Sequence, residues 1–379
     1  MGPVAGAFRA GDGDRVHPRE VRSSVVVAVT QPRFGVWAVV YGSWGPFDHP
    51  DDPVDASWER NRRLIVEADR LGFDSTLIAQ HVVNPFGDEL DQLETWTSAA
   101  ALAALTERIE IIAAIKPYLV HPVVLAKQAL QIQEISGGRF GLNLVNAWYK
   151  PELARAGIPF AEHDERYEYG REWISVVRGL LAGERVSFEG KHFQVDGYQL
   201  RPAASAPTVY VGGESDPARA LVADKADVWF INGQPKENVA ELIADVAARP
   251  RAGAPVRFGL SAFVVARETD TEAEAELAAL WELAEAGKAR WEALVADADP
   301  KAVMFQTFAK YPHIGTNGGT AAGLVGSYDT VAQRIREWAD LGIETFMLQF
   351  QPFEAEMRRF AEHVIPRVRL TSSKLELAR

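Results

Sequence analysis

The 379 residues include no cysteine, which removes disulfides, thiolate metal sites and cysteine nucleophiles together. Basic residues are in deficit, 40 Lys and Arg against 52 Asp and Glu, for a net charge of −12. Without a basic face or run, neither nucleic acid nor an anionic membrane has an electrostatic partner here. No apolar stretch approaches the roughly 20 residues of a membrane-spanning helix. The run "SSVVVAVT" (23–30), preceded by acidic residues and several arginines, is short for a secretory core. Cytoplasmic location is therefore the default expectation. Gly-x-Ser-x-Gly and Walker patterns are missing, so serine-hydrolase and P-loop chemistry lose their signatures. His81, His121 and His163 lack the spacings and neighbouring carboxylates of a metal trio, and no metal is expected.

What is present is a large apolar complement: 47% hydrophobic residues and ten tryptophans. Residues 1–32, rich in Gly, Arg, Asp and Val, read as a loosely ordered extension and 371–379 as a tail, leaving 33–370 for the fold. From Phe34 onward, short apolar runs alternate with helical patterns. "FGVWAVV", "FDSTLIA", "RIEIIAAI" and "RFGLNLV" are the first four strands; "TVYVGG", "ADVWFI", "VRFGLSAFVVA" and "IETFMLQF" are the last four. They are continuously apolar, as strands covered on both faces are. Eight such alternations predict an α/β fold, a TIM-like (β/α)8 barrel. The rhythm breaks twice, so insertions are expected after strands 4 and 7. "ERVSFEGKHFQVDGYQLRP" (184–202) has the punctuation of a hairpin. Residues 268–325 run from an acidic helical stretch into "YPHIGTNGGTAAGLVG", which is placed at the rim as a lid. "ADRLGFDST" (68–76) and "ADLGIETF" (339–346) echo one another, each ending a helix on Leu-Gly, where a left-handed glycine is expected.

A barrel of this kind builds its site where strands end. The residues there are amides, aromatics and isolated histidines, with few acids, which suits a large, flat, polar-edged ligand. In "GRFGLNLVNAW" (138–148) two amides, Asn143 and Asn146, interrupt or end an apolar strand. A buried amide needs partners, supplied either by the chain or by a bound molecule. "VGGESDPARAL" (211–221) places Asp216 as a helix N-cap and Pro217 at the first helical position. Its glycines admit close approach, and the free amides favour a phosphate; an ordinary capped βα turn has the same pattern. Tyr167, in the charged helix start "EHDERYEYGREW", lies at the same rim or is simply a packed tyrosine. Trp37 and Gln349, ending strands one and eight, are expected to face the pocket.

Taken together, "SGGRFGLNLVNAWYKPE", "EHDERYEYGREW", "GKHFQV" and "VGGESDPARALVADKADVWFINGQP" resemble the bacterial-luciferase-like flavin monooxygenases. The branch they resemble contains the alkanesulfonate and dimethylsulfone monooxygenases and the pyrimidine oxygenase. The similarity runs from Phe34 to Arg367. It implies a barrel using reduced FMN (FMNH2) and O2, with the flavin supplied by a separate NAD(P)H-dependent flavin reductase. Carried over by position, Asn143 would meet the flavin ring or its oxygen adduct, and Ala114 would lie under the ring. Asn146 keeps a polar role, while Tyr167, Gly213, Glu214 and Ser215 would hold the phosphate end. His81, following strand two at the mouth, is the candidate for proton handling.

Alkanesulfonate enzymes carry Arg and His on strand seven to grip their anion; Ser261 and Phe263 stand at the matching positions. Loss of a charge-assisted clamp removes anion affinity, so a neutral, dimethylsulfone-like substrate is favoured, although Lys116 remains available to an anion. The alternatives are oxygenation of a pyrimidine-like heterocycle or halogenated aromatic, an F420-dependent oxidoreductase, and a non-catalytic flavin-binding protein. Relatives of this kind are commonly homodimers or homotetramers, and apolar residues on helices two and three fit such an interface.

Overall fold

The computed structural model describes residues 31–43, 49–87, 90 and 92–369. The expected N-terminal extension falls almost wholly outside these residues, as does the C-terminal tail. Eight parallel strands close into a barrel: Arg33–Trp37, Ser75–Ile78, Glu110–Ile115, Phe140–Leu144, Thr208–Gly212, Val228–Ile231, Arg257–Phe263 and Ile343–Gln349. They pair in chain order, the last returning to the first. The fourth strand, FGLNL, is buried throughout, because the barrel interior covers one face and helices the other. Its register sets Asn143 between Ala114 on strand three and Tyr210 on strand five.

At the barrel end away from the site, Glu110 on strand three accepts hydrogen bonds from Arg33 of strand one (2.8 Å) and from the phenol of Tyr210 on strand five (3.0 Å). Three alternate strands are thereby tied across the interior. An aromatic cluster outside the barrel, with Phe34 against Phe360 at 5.3 Å, seats the C-terminal helix Phe353–His363.

Two segments interrupt the alternation of barrel strands and helices. Between strands four and five lie helices Lys150–Arg155 and His163–Leu181 and the antiparallel hairpin Val186–Glu189/Gln194–Tyr198. The run expected as one seventh strand divides. After Phe263 the chain leaves the barrel, and Val265–Arg267 pairs in parallel with Val325–Ser327. The break is at Val264, whose N–H still reaches Gln349 of strand eight (3.1 Å), whereas that of Val265 turns to Leu324 (3.0 Å). Helices Asp270–Ala286, Lys288–Ala296 and Val303–Lys310 occupy the interval.

His121 acts as a capping residue, its Nδ1 accepting from the N–H of Val123 at the start of helix Pro122–Ile135. Helix Trp58–Leu71 is capped by Ser57 and stopped by Gly72 at φ 87°; Gly342 ends the corresponding late helix at φ 104°. The echo in sequence is an echo in backbone. A side chain at Gly72 would meet only the guanidinium of Arg369, at 3.7 Å, so conformation alone sets the cost of adding one. Gly72→Ala is expected to lose about 1 kcal/mol of stability and Gly72→Asn less, since asparagine tolerates this region. Denaturant titration checks both; equal stability of Gly72→Ala and wild type would contradict the assignment.

Candidate active site

A cavity of about 210 Å³ opens where the strands end. Trp37, His81, Ala114, Asn143, Asn146, Tyr167, Gly213, Glu214, Ser215 and Ser261 all line it. Phe263 and Gln349 do not. Phe263, two residues beyond Ser261, is fully buried with Val265, Ala273, Leu280 and Ile314. Gln349 spends its amide on Thr316, accepting from its N–H at 3.0 Å and donating to its carbonyl at 3.1 Å. Both residues fasten the insertion after strand seven instead of facing the pocket.

The glycine-rich part of that insertion is wedged in place. The N–H of Gly233, after strand six, donates to Asn317 at 2.8 Å, and a side chain at Gly318 would overlap the backbone of Gly233. The cover over the cavity comes from the preceding helices, through Trp291, Leu294, Val303 and Met304.

Strand four delivers its amides through a strained turn. Ala147 has φ 51°, uncommon for a residue with a side chain. The turn carries Trp148 to within 5.4 Å of the His81 ring, edge to face. Asn143 and Asn146 are each only 5% exposed. Oδ1 of Asn143, both amide atoms of Asn146 and Oγ of Ser261 lack hydrogen-bond partners among the described residues. Asn146 packs against helix His163–Leu181 at Gly170, where any side chain would overlap its amide oxygen. Orphaned buried amides cost about 1–3 kcal/mol each, and polar groups collected in one cavity point to a polar-edged guest.

Strand five leads into helix Asp216–Lys225, whose N-cap is Ser215, with Pro217 in its first turn. The expected cap, Asp216, is itself helical, because the Ser215 carbonyl already accepts the first helical bond, from Arg219 (2.9 Å). The Ser215 side chain caps no backbone N–H and lies by the Tyr167 phenol, whose pKa burial raises while Ser215 lowers it. Gly213, at φ 108°, would place a side chain 3.1 Å from the Tyr167 hydroxyl. The Glu214 carboxylate turns away from this corner, accepting from the N–H of Asn232 (2.6 Å) and from Gln234 (3.1 Å). Burial pushes it up to about 7, against the pull of those donors. What remains is a hydroxyl-lined helix start of the kind that takes a phosphate.

The same cavity holds a group that sequence reading divided and partly missed. Lys116, ending strand three, contacts Oε2 of Glu152 and lies 3.0 Å from His81 Nδ1; Oε2 is also 3.0 Å from His81 Nδ1. Oε1 of Glu152 accepts from the N–H of Val82 at 2.6 Å. All three side chains are at most 5% exposed. Burial, then the Lys116 charge, hold His81 at about 4 despite Glu152. Burial brings Lys116 to about 8, opposed by Glu152. Glu152 falls to about 2 because His81 and Lys116 outweigh its burial. At neutral pH the trio is ammonium, carboxylate and neutral imidazole. Glu152 is the residue sequence reading passed over; its only signal was an acid in the segment after strand four.

A second ion pair joins the cavity wall to its cover. Arg166 contacts Asp299 and donates to the carbonyls of Asn146 (3.2 Å) and Ala161 (2.7 Å). The N–H of Asp299 donates to Trp148 (2.9 Å).

Residues 39–345 match the family model described as luciferase-like monooxygenase. The chain belongs to this family. It is 31% identical over 343 residues to the FMNH2-dependent dimethylsulfone monooxygenase of Pseudomonas putida, covering 83% of this chain and 89% of that protein. Among solved structures, DmoA from Hyphomicrobium sulfonivorans superposes with a TM-score of 0.72 at 18% identity, covering 90% of this chain and 89% of that one. The long-chain alkane monooxygenase LadA gives 0.71 at 18%, covering 90% and 92%. An F420-dependent secondary alcohol dehydrogenase gives 0.64 at 16%, covering 89% and 99%. At these identities the structures share the barrel, as the sequence led one to expect, and family membership rests on the sequence match.

Two measurements probe the site. In histidine NMR titrations His81 is expected to remain neutral until about pH 4, below the usual 6.5; a midpoint above 6.5 would contradict its burial beside Lys116. Asp299→Ala leaves the buried Arg166 unmatched, at a cost of roughly 3 kcal/mol. Limited proteolysis within 288–310 should then quicken, and an unchanged rate would mean that the pair does not hold the cover.

Proposed function

We propose that this family member is a two-component monooxygenase: a separate NAD(P)H:flavin reductase supplies FMNH2, and O2 is the co-substrate. Its substrate is a small neutral organosulfur compound, a sulfone like dimethyl sulfone rather than an alkanesulfonate, and oxygenation cleaves carbon from sulfur. The observation that carries this reading is the set of unsatisfied buried polar atoms on Asn143, Asn146 and Ser261, three residues that line one cavity. The donor set fits FMN. Asn143 and Asn146 would meet the polar edge of the ring, with Ala114 beneath it, and Tyr167, Ser215 and the Gly213 backbone would take the phosphate end. Glu214 would contribute only backbone there, since its carboxylate is committed to the loop after strand six.

Bound FMNH2 would supply the electrons that activate O2; the protein's own residues position, shield and manage protons. The apolar cover of Trp291, Leu294, Val303 and Met304 excludes water from the reacting centre. His81, neutral and beside Lys116, sits where a proton can be held or passed near the substrate. For dimethyl sulfone the balance is one O2 and two reducing equivalents in, methanesulfinate, formaldehyde and water out. Ser261 supports the neutral substrate: strand seven presents a hydroxyl to the cavity, not a cation. No helix of the described residues is long and apolar enough to cross a membrane. Exposed Leu105 on helix Thr95–Leu105 and exposed Val124 and Ile135 on helix Pro122–Ile135 support a homodimer or homotetramer, which light scattering checks.

Anaerobic titration with FMNH2 and, separately, F420 tests the cofactor. FMNH2 is expected to bind, and at least tenfold more weakly to Asn143→Leu. F420 binding without FMNH2 binding, or an Asn143→Leu protein that binds and turns over normally, sinks the reading. With FMNH2 supplied, a panel of a sulfone, a sulfonate and a pyrimidine should give aldehyde fastest from the sulfone.

A further inference from the structure

The Lys116–Glu152–His81 group has a consequence for substrate choice that rests on the oxygenase reading above. A buried lysine in a pocket normally invites an anion. Here the ammonium already has its anion. Glu152 meets it directly, and that carboxylate has its other oxygen occupied by the Val82 N–H. Any second anion brought to Lys116 arrives within one side chain's reach of a fixed negative charge, among side chains at most 5% exposed, where like charges repel more strongly than in water.

The donors are a different matter. Lys116 carries three N–H bonds, and two are aimed at Glu152 and at His81 Nδ1. Nδ1 lies 3.0 Å from both the ammonium and Oε2 of Glu152; taken as accepting from the ammonium, it leaves the proton of the neutral ring on Nε2, which has no hydrogen-bond partner among the described residues. The remaining Lys116 proton and the His81 Nε2–H are thus two donors on residues that line the cavity, belonging to a group whose formal charges sum to zero. Among the other ionisable cavity residues, Glu214 is bonded to Asn232 and Gln234 and, pushed up to about 7 by burial, titrates between pH 6 and 8 in wild type and variants alike, while burial keeps the Tyr167 phenol protonated. Arg166 is matched by Asp299, and His163 pairs with Asp164. The Tyr41 phenol is held protonated by burial and by Glu152, and Lys301 is solvent-exposed.

We propose that Glu152 is a specificity-determining residue: by neutralising Lys116 it makes the pocket a two-donor cradle for a neutral acceptor such as a sulfonyl group, and rejects the corresponding anion. Specificity of this kind is a difference between two affinities, set here by a repulsion as much as by an attraction. The carboxylate is not needed for hydrogen bonding as such, because a carboxamide of the same shape can still accept from Lys116. It is needed for its charge.

The test is calorimetric titration of anaerobic protein saturated with FMNH2, using dimethyl sulfone and methanesulfonate at pH 6, 7 and 8. Wild type is expected to bind the sulfone at least tenfold more tightly than methanesulfonate. Glu152→Gln should shift that ratio at least tenfold toward methanesulfonate. The shift should grow as pH falls, since an uncompensated Lys116 must take up a proton to receive the anion; buffers of different ionisation enthalpy would register that uptake. Glu152→Asp, which keeps the charge, should retain the wild-type preference. Lys116→Met should lose at least tenfold in sulfone affinity while still binding FMNH2, and it decides the matter should Glu152→Gln not fold. An unchanged ratio in Glu152→Gln, a sulfone affinity indifferent to Lys116→Met, or a wild type preferring methanesulfonate would each overturn the inference. Wild type that fails to bind FMNH2 at all counts instead against the oxygenase reading.

Discussion

A guanidinium sealed from solvent organises the open end of this barrel. Arg166 rises from the helix after strand four, takes the carbonyls of Asn146 and Ala161, and among the described residues is neutralised by Asp299 from the insertion after strand seven. A buried charge cannot be left unmatched without a penalty of several kcal/mol, so the insertion must sit down on strand four. Once seated, it brings Trp291, Leu294, Val303 and Met304 over the polar strand ends. One interaction thereby sets both the shape of the cavity and its dryness. The same contact steadies the strained turn at Ala147, because the Trp148 carbonyl beside it receives the N–H of Asp299.

Beneath that cover, charge is distributed in compensated units. Lys116 and Glu152 form one, Arg166 and Asp299 another, and Glu214 sits near its own neutrality, bonded to the loop after strand six. Among the described residues that line the cavity, the polar side-chain atoms left without partners include those of uncharged amides and of the Ser215 and Ser261 hydroxyls. Hydrogen-bond geometry, more than field strength, is what such an interior can use to tell ligands apart.

The barrel was legible because its strands are covered on both faces and punctuated by helices, and both properties leave one-dimensional traces. Gly72 and Gly342 were legible for the same local reason. Asn143 and Asn146 stood out because an amide inside an apolar run is conspicuous in sequence. Glu152 escaped notice because nothing local distinguishes it from a surface acid on a short helix. Its meaning comes from Lys116 and His81, brought to it from strands three and two by barrel closure. Phe263 and Gln349 were misplaced for a related reason. They sit at strand ends, where position along a strand predicts pocket lining, but the returning insertion covers them, and no periodicity records where a distant loop lands. The Ser215 cap was missed by one residue, within the ordinary slack of helix boundaries.

The short parallel pairing of Val265–Arg267 with Val325–Ser327 gives the insertion a footing of its own outside the barrel. Its two ends are brought together before any helix between them is specified, so the entropy of closing that loop is met at the base. Segments of other length and sequence can therefore be accommodated between these anchors while the eight-stranded ring stays as it is. The pocket's upper wall is in this sense an exchangeable cassette, and chains sharing this ring are free to diverge in what they admit by rewriting that stretch alone.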